Sequence, residues 1–114
     1  MDAEIARHST LIAELNDRLR KRGEGAGRIF LTRGVRALEE ETIAEVMIAV
    51  QEFSEFTPEN DPHNEHDFGA VSVGDRKFYW KIDYYDPSLT YGSEDPADES
   101  KTCRVLTIML QKEY

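Results

Sequence analysis

The segment Asn60-Asp61-Pro62-His63-Asn64-Glu65-His66-Asp67-Phe68-Gly69 concentrates the side chains of this 114-residue sequence that could do chemistry. Imidazole nitrogens and carboxylate oxygens are what zinc, manganese or non-haem iron take, so His63, Glu65, His66 and Asp67 are the candidate metal ligands. The spacing is not the His-Glu-x-x-His of a helix, where two ligands share one face. A proline-led turn leads into the two histidines, and the commoner use of such residues is Asx-type bonding to nearby backbone. No cofactor is therefore expected. A second chemistry pairs His66 with Asp83, the carboxylate orienting the imidazole as a general base. Ser72 and Thr107 are the hydroxyls that the same sheet could supply, but no Gly-x-Ser-x-Gly elbow is present, and the one basic neighbour of Cys103 is Arg104. The plainer expectation is a cross-strand ion pair on a surface, contributing about 1 kcal/mol or less. The residues alone leave open whether the chain is an enzyme.

Positioning these groups falls to a short list of elements. Ile5, His8, Ile12, Leu15 and Leu19 recur at helical spacing and predict an amphipathic helix over 3–22, ended by Gly23, Gly25 and Gly27. Those glycines follow a helix and precede a strand, the reverse of a phosphate-binding loop. Arg28–Thr32 reads as a short strand. Leu38, Ile43, Val46, Met47, Val50 and Phe53 then form the stripe of a second helix, with Glu39, Glu40 and Glu41 in its early turns and Pro58 beyond its end.

Alternating apolar residues on both sides of Gly74-Asp75 predict a hairpin over 67–86. That turn puts Val71, Val73, Phe78, Trp80, Ile82 and Tyr84 on one face, the expected core, and Phe68, Lys77, Tyr79, Lys81, Asp83 and Tyr85 on the other, with His66 opposite Asp83. Cys103–Gln111 is apolar on both faces and predicts an internal strand. The expected fold is α+β, in the order α-β-α-β-β-β: two helices packed on a mainly antiparallel sheet of about four strands, the second helix lying on the face of Trp80 and Ile82. Residues 1–114 are expected to form a single domain. Asp61-Pro62, Asp86-Pro87 and Asp95-Pro96 read as turn punctuation at strand ends.

The formal charge of −9 is unevenly spread. Residues 1–36 sum to +3, residues 37–70 hold ten acids and no Lys or Arg, and residues 71–114 sum to −2. An acidic centre repels phosphates, and the short Arg18–Arg22 cluster reads as a solvated helix end, so no direct contact with nucleic acid is expected. One cysteine rules out an internal disulfide, and the absence of a secretory pattern and of a long apolar run predicts a cytoplasmic protein without a membrane span.

The strings Asn60-Asp61-Pro62-His63, Glu65-His66-Asp67-Phe68-Gly69 and Trp80-Lys81-Ile82-Asp83-Tyr84-Tyr85-Asp86 carry a family resemblance, together with Asp95-Pro96-Ala97-Asp98 and Arg104-Val105-Leu106-Thr107-Ile108-Met109-Leu110. Leu15-Asn16-Asp17, Leu19-Arg20 and Glu113-Tyr114 belong to the same pattern. It resembles a bacterial domain-of-unknown-function family, three-seven-six-eight in its numbering. The resemblance implies small stand-alone proteins, often encoded among plasmid, phage or integrated elements, where anti-restriction and anti-CRISPR proteins also occur; it carries no activity and no catalytic residue.

Two functions are expected from these features. The first is a small acidic, non-enzymatic binding protein, of the type that inhibits a nucleic-acid-handling defence system, meeting a protein with a basic surface or pairing as a homodimer. Its binding surface would comprise Asp61, Glu65, His66, Asp67, Phe68, Tyr79, Lys81, Asp83, Tyr85 and Asp86, with Val105 and Met109 adjacent. The alternative is a small metal-dependent or His/Asp-based hydrolase centred on the 60–69 segment.

Overall fold

A computed structural model describes residues 3–114. Helix α1 (Ala3–Arg22) carries Lys21 and Arg22 in its last turn and ends where the Gly23 N–H bonds the Leu19 carbonyl at 2.9 Å. Strand β1 (Gly27–Leu31) follows, then a one-turn helix α2 (Arg33–Arg36), started by Thr32, whose hydroxyl accepts from the Val35 N–H. Helix α3 (Glu40–Glu52) opens with Glu40 and Glu41, where the dipole favours acids. Strands β2 (Phe68–Val73) and β3 (Arg76–Tyr85) form a hairpin around Gly74, whose φ of +62° suits a tight primed turn. Strand β4 (Cys103–Leu110) is the last, flanked by short 3₁₀ turns at Glu99–Lys101 and Gln111–Glu113.

The fold is α+β, with two corrections to the expected architecture. There are three helices rather than two, because Gly34 lies inside a separate turn that Thr32 caps. The four-stranded sheet, ordered β1-β4-β3-β2, is mixed rather than mainly antiparallel: β3 runs against both neighbours, while β1 runs parallel to β4. The crossover through α2 and α3 explains this. A helical crossover carries the chain back to the end of the sheet at which β1 began, so β2 runs in the direction of β1, and two antiparallel steps bring β4 back to that direction.

The hairpin register sets Phe68 against Lys81 and Gly69 against Trp80. This alternation separates the faces. Phe78, Trp80, Ile82, Leu106 and Ile108 form the core with Leu19 of α1, Val35 of α2 and Val46 and Val50 of α3, so all three helices pack on the same face. Each such side chain contributes roughly 1.5–3 kcal/mol on burial. At Gly69 a Cβ would lie 2.5 Å from the Trp80 Nε1, so only glycine lets the indole lie across β2. No helix among the described residues is long and apolar enough to cross a membrane.

Candidate functional site

Three polar residues on α1 organise one end of the molecule. Asn16 is completely buried. Its amide nitrogen donates to the Glu65 carbonyl at 2.9 Å and to the Tyr84 hydroxyl at 2.8 Å, and its oxygen accepts from Arg104 Nε at 2.7 Å. Tyr84 in turn donates to Glu65 at 3.0 Å, and Arg104 also donates to the Pro96 carbonyl. One turn later, Arg20 is 2% exposed, and its guanidinium donates to the carbonyls of Val50, Gln51 and Phe53 at 2.7, 3.3 and 3.0 Å. These carbonyls close α3, where a cation meets unpaired acceptors and the negative end of the dipole. Burial pulls both arginines below their ordinary pKa and pushes the Tyr84 phenol well above its own. The Arg18–Arg22 cluster is therefore not wholly solvated.

The 60–69 segment folds onto this platform. Asp61 is buried and its carboxylate accepts from the N–H groups of Glu65 and His66 at 3.0 and 3.2 Å. Asn64 and His66 both stand at φ 56°, a left-handed conformation that costs a non-glycine residue energy and is held here by surrounding bonds. The His66 Nδ1 lies 3.0 Å from both Asp17 oxygens, its Nε2 lies 3.9 Å from Asp61, and its ring stacks on Phe56 at 3.9 Å and 2°. Asp17 also accepts from Arg20 at 3.1 Å.

His66 and Asp83 do not meet. The β2–β3 ladder extends to the Ile82 N–H on the Asp67 carbonyl, after which the left-handed His66 turns the chain toward α1, while Asp83 binds Lys81 at 2.9 Å. A general base needs one ring nitrogen free to reach substrate. The His66 Nδ1 is bonded to Asp17 and its Nε2 lies 3.9 Å from Asp61, beyond hydrogen-bond reach, and among the described residues no Ser, Thr or Cys is bonded to the ring. The candidate metal ligands diverge as well. His63 is exposed on a groove that it shares with His8 and Glu65, His66 turns to Asp17, and among the described residues no three His, Cys, Asp or Glu side chains gather as metal ligands. Asp67 is half-buried beside Glu65 and Asp61; burial first, then these two charges, pushes its pKa up. No cation is bonded to it among the described residues.

The expected binding surface therefore divides. Asp61, Glu65, His66 and Asp67 belong to the clasp on α1. Asp86 ends β3 in an Asx turn, accepting from the Thr90 and Tyr91 N–H groups at 2.9 and 3.0 Å and from Ser88 at 2.7 Å, contacts that lower its pKa. Phe68, Tyr79, Lys81, Asp83 and Tyr85 share the face of the sheet opposite the helices. On that face Phe68, Tyr79 and Tyr114 form a ring cluster with centroids 5.2–5.8 Å apart. Gln111 donates to the Tyr79 hydroxyl at 3.2 Å. By register, Val105, Thr107 and Met109 of β4 and Arg28 and Phe30 of β1 continue the face; Val105 and Met109 are buried, while Phe30 is 51% and Tyr114 74% exposed. Phe30 and Tyr114 were not among the residues expected there. The alternation of β1 beside an internal β4 is the signal for Phe30; Tyr114 belongs to the family pattern, but no strand periodicity places it on this face.

A mixed sheet with its helices on one face and an aromatic surface on the other defines an α+β protein with a one-sided sheet. Residues 31–113 match the family described as Protein of unknown function (DUF3768), and the chain belongs to that family. Comparison with curated proteins and with solved structures finds no match.

Proposed function

We propose that the protein is a non-enzymatic binding module that engages a protein partner with a basic surface. The observation that carries this reading is the helix-free sheet face, where Phe30, Phe68, Tyr79, Tyr85 and Tyr114 surround Val105 and Met109. Aromatic side chains over an apolar centre are the anchors from which interfaces draw most of their energy. Charge supplies the partner's sign. Glu39, Glu40, Glu41, Glu45, Glu52, Glu55 and Glu59 are exposed along α3 and the chain after it, and among the described residues none has a cation within ion-pair distance. Such a field speeds encounter with a cationic surface and fades with salt.

The test is capture from host lysate on immobilised protein at low and high salt. The expected result is a defined partner that is lost with Tyr79→Ser/Tyr114→Ser and bound more slowly by Glu40→Lys/Glu41→Lys/Glu45→Lys. A partner held equally by all three proteins would overturn the reading. The narrower role, inhibition of a nucleic-acid-handling defence complex, is supported by the setting that the family resemblance implies. Phage plating on restricting or CRISPR-immune cells tests it: expression of the protein should restore plaques, and unchanged plating efficiency would remove that role while leaving the binding module in place.

A further inference from the structure

We propose that β1 pairs along its outer edge with β1 of a second copy, antiparallel about a two-fold axis at Ile29, joining two sheets into one. β1 is an edge strand whose one neighbour is β4. The bonds from the Arg104 N–H to the Ala26 carbonyl and from the Thr32 N–H to the Ile108 carbonyl, each 3.1 Å, fix which of its residues face that neighbour. In a parallel ladder alternate residues direct both backbone groups to the same side. Ala26, Arg28, Phe30 and Thr32 therefore face β4, and Gly27, Ile29 and Leu31 direct their N–H and C=O groups outward, with no bonding partner among the described residues.

The outward pattern is symmetric about Ile29, so a second copy meets it in register. Ile29 faces Ile29 of the second copy, and Gly27 faces its Leu31, with every outward donor opposite an acceptor. Arg28 then faces Phe30 of the second copy on the open face, and Phe30 faces its Arg28. Both side chains are exposed and, among the described residues, Arg28 has no ion pair, so the interface gains two cation–π contacts and sets no arginine directly opposite another. Ile29, 39% exposed on the helix side, gains an apolar neighbour. Edge strands are ordinarily guarded by shortness, charged side chains, proline, a bulge or a covering element; β1 has five residues and one charge, Arg28, and neither proline nor a bulge. The charge distribution spares the joint as well, because acidic α3 packs over β2 at the far edge of the sheet.

Sedimentation equilibrium of the full chain over a concentration series tests the proposal. The wild type is expected to approach twice its 13.1 kDa mass. Ile29→Pro removes an outward N–H without touching the β4 ladder, and Phe30→Lys replaces the ring with a charge; each should weaken pairing about tenfold or more. In a Cys103→Ser background, Ile29→Cys on the axis should oxidise to a disulfide-linked dimer, whereas Phe30→Cys, offset from its own copy, should not. A wild type that stays monomeric at all concentrations, including one that binds an extended peptide instead, would overturn the proposal, as would a dimer that survives both Ile29→Pro and Phe30→Lys. Tyr79 and Tyr114 take no part in the pairing, so its failure and that of the binding reading are distinguishable.

Discussion

Asp17 and His66 are held 3.0 Å apart across 49 residues of sequence, with the imidazole stacked on Phe56. This contact fastens the 60–69 segment to α1. The pair is roughly one-third exposed on either side, so solvent screens part of its attraction. A double-mutant cycle of Asp17→Ala and His66→Ala, followed by urea unfolding at neutral pH, should give a coupling of about 1 kcal/mol. Additive single effects would show that the two contribute independently.

Asn16→Ala should destabilise the fold by about 3 kcal/mol, because it leaves Arg104, Tyr84 and the Glu65 carbonyl without a shared partner in a buried site. The urea midpoint is the measurement. A loss below about 1 kcal/mol, as on an exposed helix face, would mean that water replaces the amide.

Gly69→Ala forces a methyl group against the Trp80 indole and should cost about 1–3 kcal/mol. Adding Trp80→Phe removes the atoms in conflict. The double variant should lose less than the two single losses combined, a coupling that calorimetry can read; simple additivity would place the strain elsewhere.

The pH dependence has opposite signs at two carboxyls. Asp67 has a raised pKa in the folded chain, so the folded form holds its proton more tightly and stability falls as pH rises from the ordinary carboxylate range through the raised value. Asp67→Asn should therefore stabilise at pH 7, and this gain should vanish on acidification below the ordinary range. Glu113 accepts from Thr32, Leu110 and Gly34 at 2.7, 2.8 and 3.0 Å, and these bonds hold its pKa low. Its contribution is present above the ordinary pKa and is lost as pH falls through the lowered one, so Glu113→Gln should destabilise at pH 7 and converge with wild type in acid. Thermal unfolding against pH checks both, and parallel curves for either variant would refute its assignment.

Local pattern made much of this fold legible. Gly74-Asp75 set the hairpin register, and the unbroken apolar run of β4 placed it inside the sheet, since both depend on neighbouring residues alone. The direction of β1 was not legible, because it depends on a crossover of more than thirty residues rather than on the strand. Asn16 and Arg20 lie four apart among Leu15 and Leu19 and carry the composition of a wetted helix edge. Their burial is specified by what arrives from Tyr84, Arg104 and the end of α3. His66 misled for a related reason: period-two alternation continues the strand on paper, but its left-handed backbone ends it.

The fourth strand in chain order occupies an inner position, between the first strand and the third. On the ribosome, β1 and the hairpin have no strand between them until Cys103–Leu110 has emerged, so this sheet closes only after residue 110 has been made. Until then the edges of both pieces are open to solvent and to other nascent chains, and a ribosome that stalls before this segment leaves a product that cannot close its sheet.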